Sequence, residues 1–294
     1  MIVLNCICPF IGVCVLGEFM RCISPLTVRV SGQLQVVPCG KCAFCLMAKR
    51  ADWTFRINQE AKKAMTAFFL TFTYGNFFLP IRFVVNWCCL RVYPYEHSLV
   101  KSDWRLFKKR LRKAVYPCRL RDYSVGEYGE LNGRPHYHSI MFNMPACILP
   151  KLERLWGFGF VNIGDVNLAS IHYVTKYVMK PKGEYGGREP PFALMSRRPG
   201  IGSGYLGSHG DWHRVDMKSY SLVNGVKNRL PRYYREKLFS KAEREAFALE
   251  GISVSIAEYR EAIEGLKKFH GDPEGYYYER LVTMYEAAVK SLTK

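Results

Sequence analysis

The residues best equipped for chemistry lie between Gly126 and Met141, in the run G-E-Y-G-E-L-N-G-R-P-H-Y-H-S-I-M. His136 and His138 stand two apart in a stretch that reads as a β-strand. Alternate strand residues point to the same face, so both imidazoles can reach one point. With the intervening turn taken as Glu130 to Gly133, Glu127 falls on the partner strand opposite His136 and on the same face. Two imidazoles and one carboxylate form a set that could hold a divalent metal ion.

A second set follows about forty residues on. Tyr173 and Tyr177 are four apart in a helical pattern and share one face, with Lys176 and Lys180 alongside. A divalent ion on His136, His138 and Glu127 would leave positions open for phosphodiester oxygens, and a tyrosine could then attack phosphorus in line. The products would be a 5′-phosphotyrosine and a free 3′-hydroxyl, with the bond energy conserved for rejoining. Two tyrosines would let one hold a DNA end while the other cuts a new copy of the site, releasing a closed circle. Lys176 or Lys180 would stabilise a phenolate, protonate the leaving oxygen or bind phosphate. Imidazole favours manganese or zinc and phosphate suits magnesium, so activity with Mg²⁺ or Mn²⁺ is expected.

Cys39, Cys42 and Cys45 form a third set, on a turn after a strand at residues 33–37 and before a helix through Trp53, Arg56 and Ile57. Closely spaced thiols can share one ion, and structural Zn²⁺ is one reading. It needs a fourth ligand from Cys22, Cys8 or Cys6. Unliganded structural thiols and an iron–sulfur cluster are the others.

The positioning elements are legible around these sets. Residues 68–74, F-F-L-T-F-T-Y, read as the central strand of a sheet, closed by Gly75-Asn76. The apolar run at residues 83–92 fits a strand or a short helix. A helix beginning at Ser102-Asp103 carries Trp104, Phe107, Leu111 and Ala114 as an apolar stripe. Its other face presents Arg105, Lys108, Lys109, Arg110, Arg112 and Lys113, a candidate phosphate-contacting surface. Residues 121–128 and 135–142 make the histidine hairpin. A short helix at 152–156, a strand at 158–163 and the tyrosine helix from Ala169 follow. Residues 183–239 are rich in Gly, Pro and Arg, with Arg197-Arg198 in R-R-P-G-I-G; the stretch to residue 210 predicts an ordered loop or linker near the site, not a regular helix or long strand. A helical tail runs from Pro231 to the end. The expected division is 1–60 as a Cys-rich segment, 61–182 as the catalytic core, 183–239 as a DNA-contacting loop segment and 240–294 as the tail.

The charge is uneven. Of 43 Lys and Arg and 25 Asp and Glu, residues 240–294 hold eight and ten, leaving a surplus of about 20 positive charges on residues 1–239. With 19 Tyr and 18 Phe, this pairing suits nucleic acid through phosphate neutralisation and base stacking. Eleven cysteines without a convincing secretion signal read as a reducing compartment. The apolar first 19 residues are broken by Pro9, Gly12, Gly17 and Glu18, against a membrane span of about 20 apolar residues. They read equally as an upstream extension of a natural start at Met20.

At these residues the chain resembles the HUH endonucleases, the rolling-circle replication initiators and relaxases. F-L-T-F-T-Y at residues 69–74 is similar to their first motif, H-Y-H at 136–138 to the histidine motif, and Y-V-T-K-Y-V-M-K at 173–180 to the two-tyrosine nucleophile motif. P-C-G-K-C-A-F-C-L from Pro38, G-R-P-H-Y-H from Gly133, with Arg134 as a further phosphate contact, and R-R-P-G-I-G from Arg197 look like initiators of gokushovirus-type microviruses. The resemblance implies an α+β fold, a five-stranded antiparallel sheet with flanking helices. It implies nicking of viral origin DNA in the bacterial host cytoplasm, with host DNA polymerase and helicase as partners. His136 and His138 carry over as metal ligands and Tyr173 and Tyr177 as nucleophiles. The third ligand varies in that family; Glu130 competes with Glu127, which direct opposition in the hairpin favours. A plasmid initiator or relaxase, and a non-catalytic basic DNA-binding or packaging protein, are the alternatives.

Overall fold

The computed structural model describes residues 22–30, 32–86, 91–176, 185, 188–223 and 225–293. Two compact units emerge, Trp53–Ser208 and the pair of segments Met1–Asp52 and His209–Lys294.

The first unit is built on a five-stranded antiparallel sheet with spatial order β8-β3-β7-β6-β9, formed by β3 (Ala67–Thr73), β6 (Arg121–Tyr128), β7 (Pro135–Phe142), β8 (Val161–Asp165) and β9 (Phe192–Met195). Together with the helices around it, this is the expected α+β architecture. β3 is dense in aromatic and β-branched residues and is paired on both edges, by β7 and β8, as its sequence predicts.

Side-chain alternation divides the sheet into two faces. Leu70, Phe72, Tyr137 and Met141 pack with Trp104, Phe107 and Leu111 of α2 (Lys101–Ala114) and with Leu152 and Trp156 of α3 (Leu152–Trp156). Tyr123, Val125, Ile140 and Phe142 pack on the other face, with Ile57 from the end of α1 (Ala43–Ala61) and Ile171 and Val174 of α4, described over Leu168–Lys176. Burying each such large side chain removes about 1.5–3 kcal/mol of apolar exposure. The Trp104, Phe107, Leu111 stripe is therefore what binds α2 to the sheet.

A polar clasp fixes the start of α2. The Tyr74 hydroxyl donates to Asp103 at 2.9 Å, and the Tyr137 hydroxyl donates to the Val100 carbonyl at 2.9 Å while accepting from the Val100 N–H at 3.0 Å. Tyr137 lies between the two histidines in sequence, so its anchorage to the opposite face fixes the strand that carries them. Where β8 meets the end of β3, Gly159 has φ +152°, and a β-carbon there would come within 2.4 Å of the Gly75 nitrogen and the Thr73 carbonyl oxygen.

Residues 81–97 form a hairpin of β4 (Ile81–Asn86) and β5 (Arg91–His97), which settles the undecided apolar run as strand over its described residues. The Gly/Pro/Arg-rich stretch departs from its expected irregularity. It supplies β9 to the edge of the sheet and continues into α5 (Gly204–Val215), β10 (Tyr220–Val223) and β11 (Val226–Arg229). Pairing with β6 organises β9, and this long-range partner lies beyond any local pattern. The loop before α5 is tied down by Arg121, which donates to the Pro199 and Gly200 carbonyls at 2.9 and 2.8 Å and pairs with Glu60, whose carboxylate accepts the Gly202 N–H at 2.7 Å.

The second unit contains the antiparallel ribbon of β1 (Leu26–Val30) and β2 (Gln33–Val37), the first turns of α1, the β10–β11 hairpin, and helices α6 (Arg232–Leu238), α7 (Lys241–Lys267) and α8 (Pro273–Thr293). Ser240 and Glu243 form a capping box at the start of α7. No helix among the described residues is long and apolar enough to cross a membrane.

Candidate metal and nucleophile site

The hairpin register places Glu127 directly opposite His136, with Val125 opposite His138. The chain turns through residues 129–134, closed by the Gly129 N–H donating to the Arg134 carbonyl at 2.9 Å, and Glu130 lies exposed in that turn. Glu127 is only 2% exposed and His138 6%. One carboxylate oxygen, Glu127 Oε1, is 2.8 Å from His136 Nε2 and 2.6 Å from His138 Nε2. Donor atoms from the three side chains all lie within 4.8 Å of one another.

The outer ring nitrogens are also engaged. His136 Nδ1 is 3.0 Å from the Arg134 carbonyl oxygen, which can only accept, so Nδ1 carries the ring proton. In the neutral ring Nε2 then turns a lone pair toward Glu127 Oε1. Two acceptors so close repel unless a cation, either a proton or a metal ion, is shared between them. His138 Nδ1 meets Thr71 Oγ1 at 2.9 Å, and donation from Nδ1 leaves its Nε2 equally bare. Burial pushes the His138 imidazole below the usual histidine range, against the pull of Glu127, which favours the neutral, ligating form. The donor set fits a divalent ion, with Thr71 and the Arg134 carbonyl orienting the ligands from behind.

Helix α4 brings the tyrosine to the same point. The Tyr173 hydroxyl donates to Glu127 Oε1 at 2.8 Å and lies 3.3 Å from His138 Nε2. Lys176 Nζ sits 4.5 Å from the Tyr173 ring centroid. Phe69 lies parallel to the His138 ring, with centroids 5.7 Å apart, and meets Tyr173 edge-on. Tyr177 and Lys180 lie outside the described residues.

Thr71 and Phe69 were absent from the residue set drawn from sequence, although their signal was present. In β3, residues 69, 71 and 73 alternate onto one face, and strand pairing puts Thr71 against His138 and Thr73 against His136. What the sequence lacked was the order of strands.

The basic residues are dispersed. α2 packs on the face of the sheet opposite the histidines, so Arg105, Lys109, Arg112 and Lys113 are exposed away from Tyr173. Lys108 pairs with the buried Asp122 at 3.0 Å, and Arg110 donates to the Leu155 and Trp156 carbonyls at 2.7 and 2.8 Å, capping α3. Arg134, at the start of the histidine strand, holds Asn76 and the Tyr74 carbonyl, each at 2.8 Å. Arg197 and Arg198 are exposed in the loop that Arg121 ties down. Cys39, Cys42 and Cys45 gather with Cys22 in the second unit, whereas Cys6 and Cys8 lie outside the described residues.

This sheet, with its histidine hairpin, coincides with a known family. Residues 67–182 match the family model of the ORF2-type replication-associated proteins, which places the core among replication-associated proteins. Similarity extends past that segment to proteins of small phages. The chain is 29% identical over 231 residues to Replication-associated protein ORF4 of Chlamydia phage 1, spanning 69% of this chain and 53% of that protein. It is 26% identical over 224 residues to Replication-associated protein ORF2 of Spiroplasma virus 4, across 69% of this chain and 67% of the relative. It is 24% identical over 225 residues to Replication-associated protein VP4 of Bdellovibrio phage phiMH2K, across 68% and 66%. The chain is thus a relative of the microvirus replication-associated proteins, and the matched region is about half the length of the Chlamydia phage protein. No solved structure matches it.

Proposed function

We propose that the protein initiates rolling-circle replication of a microvirus genome by nicking one strand of the viral origin and joining itself to the 5′ end through tyrosine. The observation that carries this reading is the convergence of Glu127, His136, His138 and the Tyr173 hydroxyl on one point.

In this reading Glu127, His136 and His138 hold Mg²⁺ or Mn²⁺. When bound, the ion polarises the scissile phosphodiester and neutralises charge developing on its oxygens. Tyr173 Oη attacks phosphorus, forming an O–P bond as the bond from phosphorus to the 3′ oxygen breaks. The phenolic proton has an acceptor at hand in Glu127, 2.8 Å away. Lys176, beside the Tyr173 ring, stabilises the phenolate as it forms. A proton delivered to the departing oxygen completes a free 3′-hydroxyl, and the phosphotyrosine retains the bond energy for rejoining. Tyr177, four residues on, takes the second cut and Lys180 assists it, so that transfer between tyrosines releases circular single-stranded DNA.

The exposed Arg105, Lys109, Arg112 and Lys113 contact DNA backbone on the far face of the sheet, with Arg134, Arg197 and Arg198 as further contacts; Lys108 and Arg110 are chiefly held within the protein. Host polymerase and helicase extend and unwind from the nick in the bacterial cytoplasm.

The test is to incubate purified protein with Mg²⁺ or Mn²⁺ and labelled single strands spanning the viral origin, then to seek a covalent adduct that survives denaturation. Absence of an adduct across a full panel of origin strands would remove the enzymatic reading.

A further inference from the structure

The second unit contains its own cluster of ligating atoms, remote in sequence from the histidine hairpin. Cys22 precedes β1, Cys39 and Cys42 flank the turn after β2, and Cys45 lies in the first turn of α1. Their four sulfurs all lie within 4.8 Å of one another. Cys39 Sγ is 4.0 Å from Cys45 Sγ, and Cys42 Sγ is 3.9 Å from Cys22 Sγ. A regular tetrahedron with Zn–S bonds of about 2.3 Å has sulfur edges of about 3.8 Å. The two measured edges agree with that figure and are about twice the length of a disulfide bond.

The backbone is arranged for thiolate ligands. N–H groups point at the sulfurs, from Cys39 to Cys22 Sγ at 3.2 Å, from Cys42 to Cys39 Sγ at 3.3 Å and from Lys41 to Cys39 Sγ at 3.4 Å. Such donors hold negative sulfur and orient it from behind. Gly40, at φ +72°, supplies the left-handed step that folds this Cys-Gly-Lys-Cys turn back on itself. Charge completes the case. Four thiolates around Zn²⁺ carry a net −2, and the cavity of about 770 Å³ that Cys22 and Cys45 help to line is also lined by Lys49, Arg229, Arg232 and Arg235.

We infer that Cys22, Cys39, Cys42 and Cys45 bind one structural Zn²⁺ ion, which ties the β1–β2 ribbon to the start of α1. Each thiol gives up its proton on binding, and no redox change is involved. The site is chemically independent of nicking, and its presence or absence can be read without an activity assay.

The experiment uses the full chain carrying His136→Ala and His138→Ala, which removes the other metal site. Elemental analysis after exhaustive dialysis is expected to find one zinc per chain, falling to none on adding Cys39→Ser and Cys42→Ser. Should that second variant fold poorly, the parent protein still decides the matter. Replacement of its zinc by Co²⁺ is expected to give the intense visible and sulfur-to-cobalt bands of a tetrahedral thiolate site. Four thiols are expected to resist a thiol reagent until a chelator is added. A chain with no metal, with iron in place of zinc, or with these cysteines oxidised to disulfides overturns the inference.

Discussion

Tyr173 Oη and Glu127 Oε1 stand 2.8 Å apart, joining a helix to a strand 46 residues earlier in the chain. The same carboxylate oxygen faces both histidines, so a single atom touches the candidate nucleophile and both imidazole ligands. Under the proposed function, ligand and proton acceptor are therefore the same group.

That double role separates two substitutions. Tyr173→Phe keeps the three ligands and is expected to retain Mn²⁺ binding while the adduct at this residue disappears. Glu127→Gln removes the charge, and both Mn²⁺ affinity and adduct formation are expected to fall, the latter by about 100-fold or more. Calorimetric titration with Mn²⁺ beside the adduct assay checks the pair. Unchanged Mn²⁺ affinity in Glu127→Gln would exclude Glu127 as a ligand.

Thr71 touches His138 but not the reacting groups. Thr71→Val, close in shape and lacking the hydroxyl, is expected to weaken metal affinity about 10–100-fold, as losses behind a ligating histidine do. Thr71→Ser should restore most of it. Equal weakening by valine and serine, measured by the same titration, would show that the hydroxyl is not the cause.

Gly159 tests the fold with no reference to chemistry. A β-carbon there would meet backbone atoms at 2.4 Å, and backbone cannot rotate aside. Gly159→Ala is expected to cost about 2 kcal/mol or more, combining steric overlap with an unfavourable φ. Urea unfolding measures the loss. A midpoint equal to that of the parent would show that the β8–β3 junction is looser than described.

His213 governs an acid response in the second unit. It is fully buried, its Nδ1–H donates to the Lys218 carbonyl at 2.7 Å, and burial pushes its pKa below the usual histidine range. The unfolded chain therefore takes up a proton more readily. The stability that neutral His213 confers is present above about pH 6.5 and is lost as pH falls through the lower folded value. Thermal unfolding between pH 7.5 and 5 is expected to show a falling midpoint. His213→Asn should lower the midpoint at pH 7.5 and flatten its decline, and a decline as steep as the parent's would acquit His213.

Much of this protein is written in local pattern. Alternation in residues 135–142 faces His136 and His138 one way and Tyr137 the other, because strand geometry repeats every two residues wherever the strand lies. A turn short enough to be read from its Gly and Asn fixed the hairpin register, and with it the opposition of Glu127 and His136. The aromatic stripe of α2 likewise announced its buried face. Tertiary structure alone decided what depends on distant pairing. It set β3 beside β7, which put Thr71 behind His138, and laid β9 along β6 although its own sequence reads as loop. It also chose Cys22 to complete the set begun by Cys39, Cys42 and Cys45. The α2 cations show the limit most plainly. Their helix could be read from one turn to the next, but the face of the sheet it covers is set by the whole packed core, and that face is turned away from Tyr173.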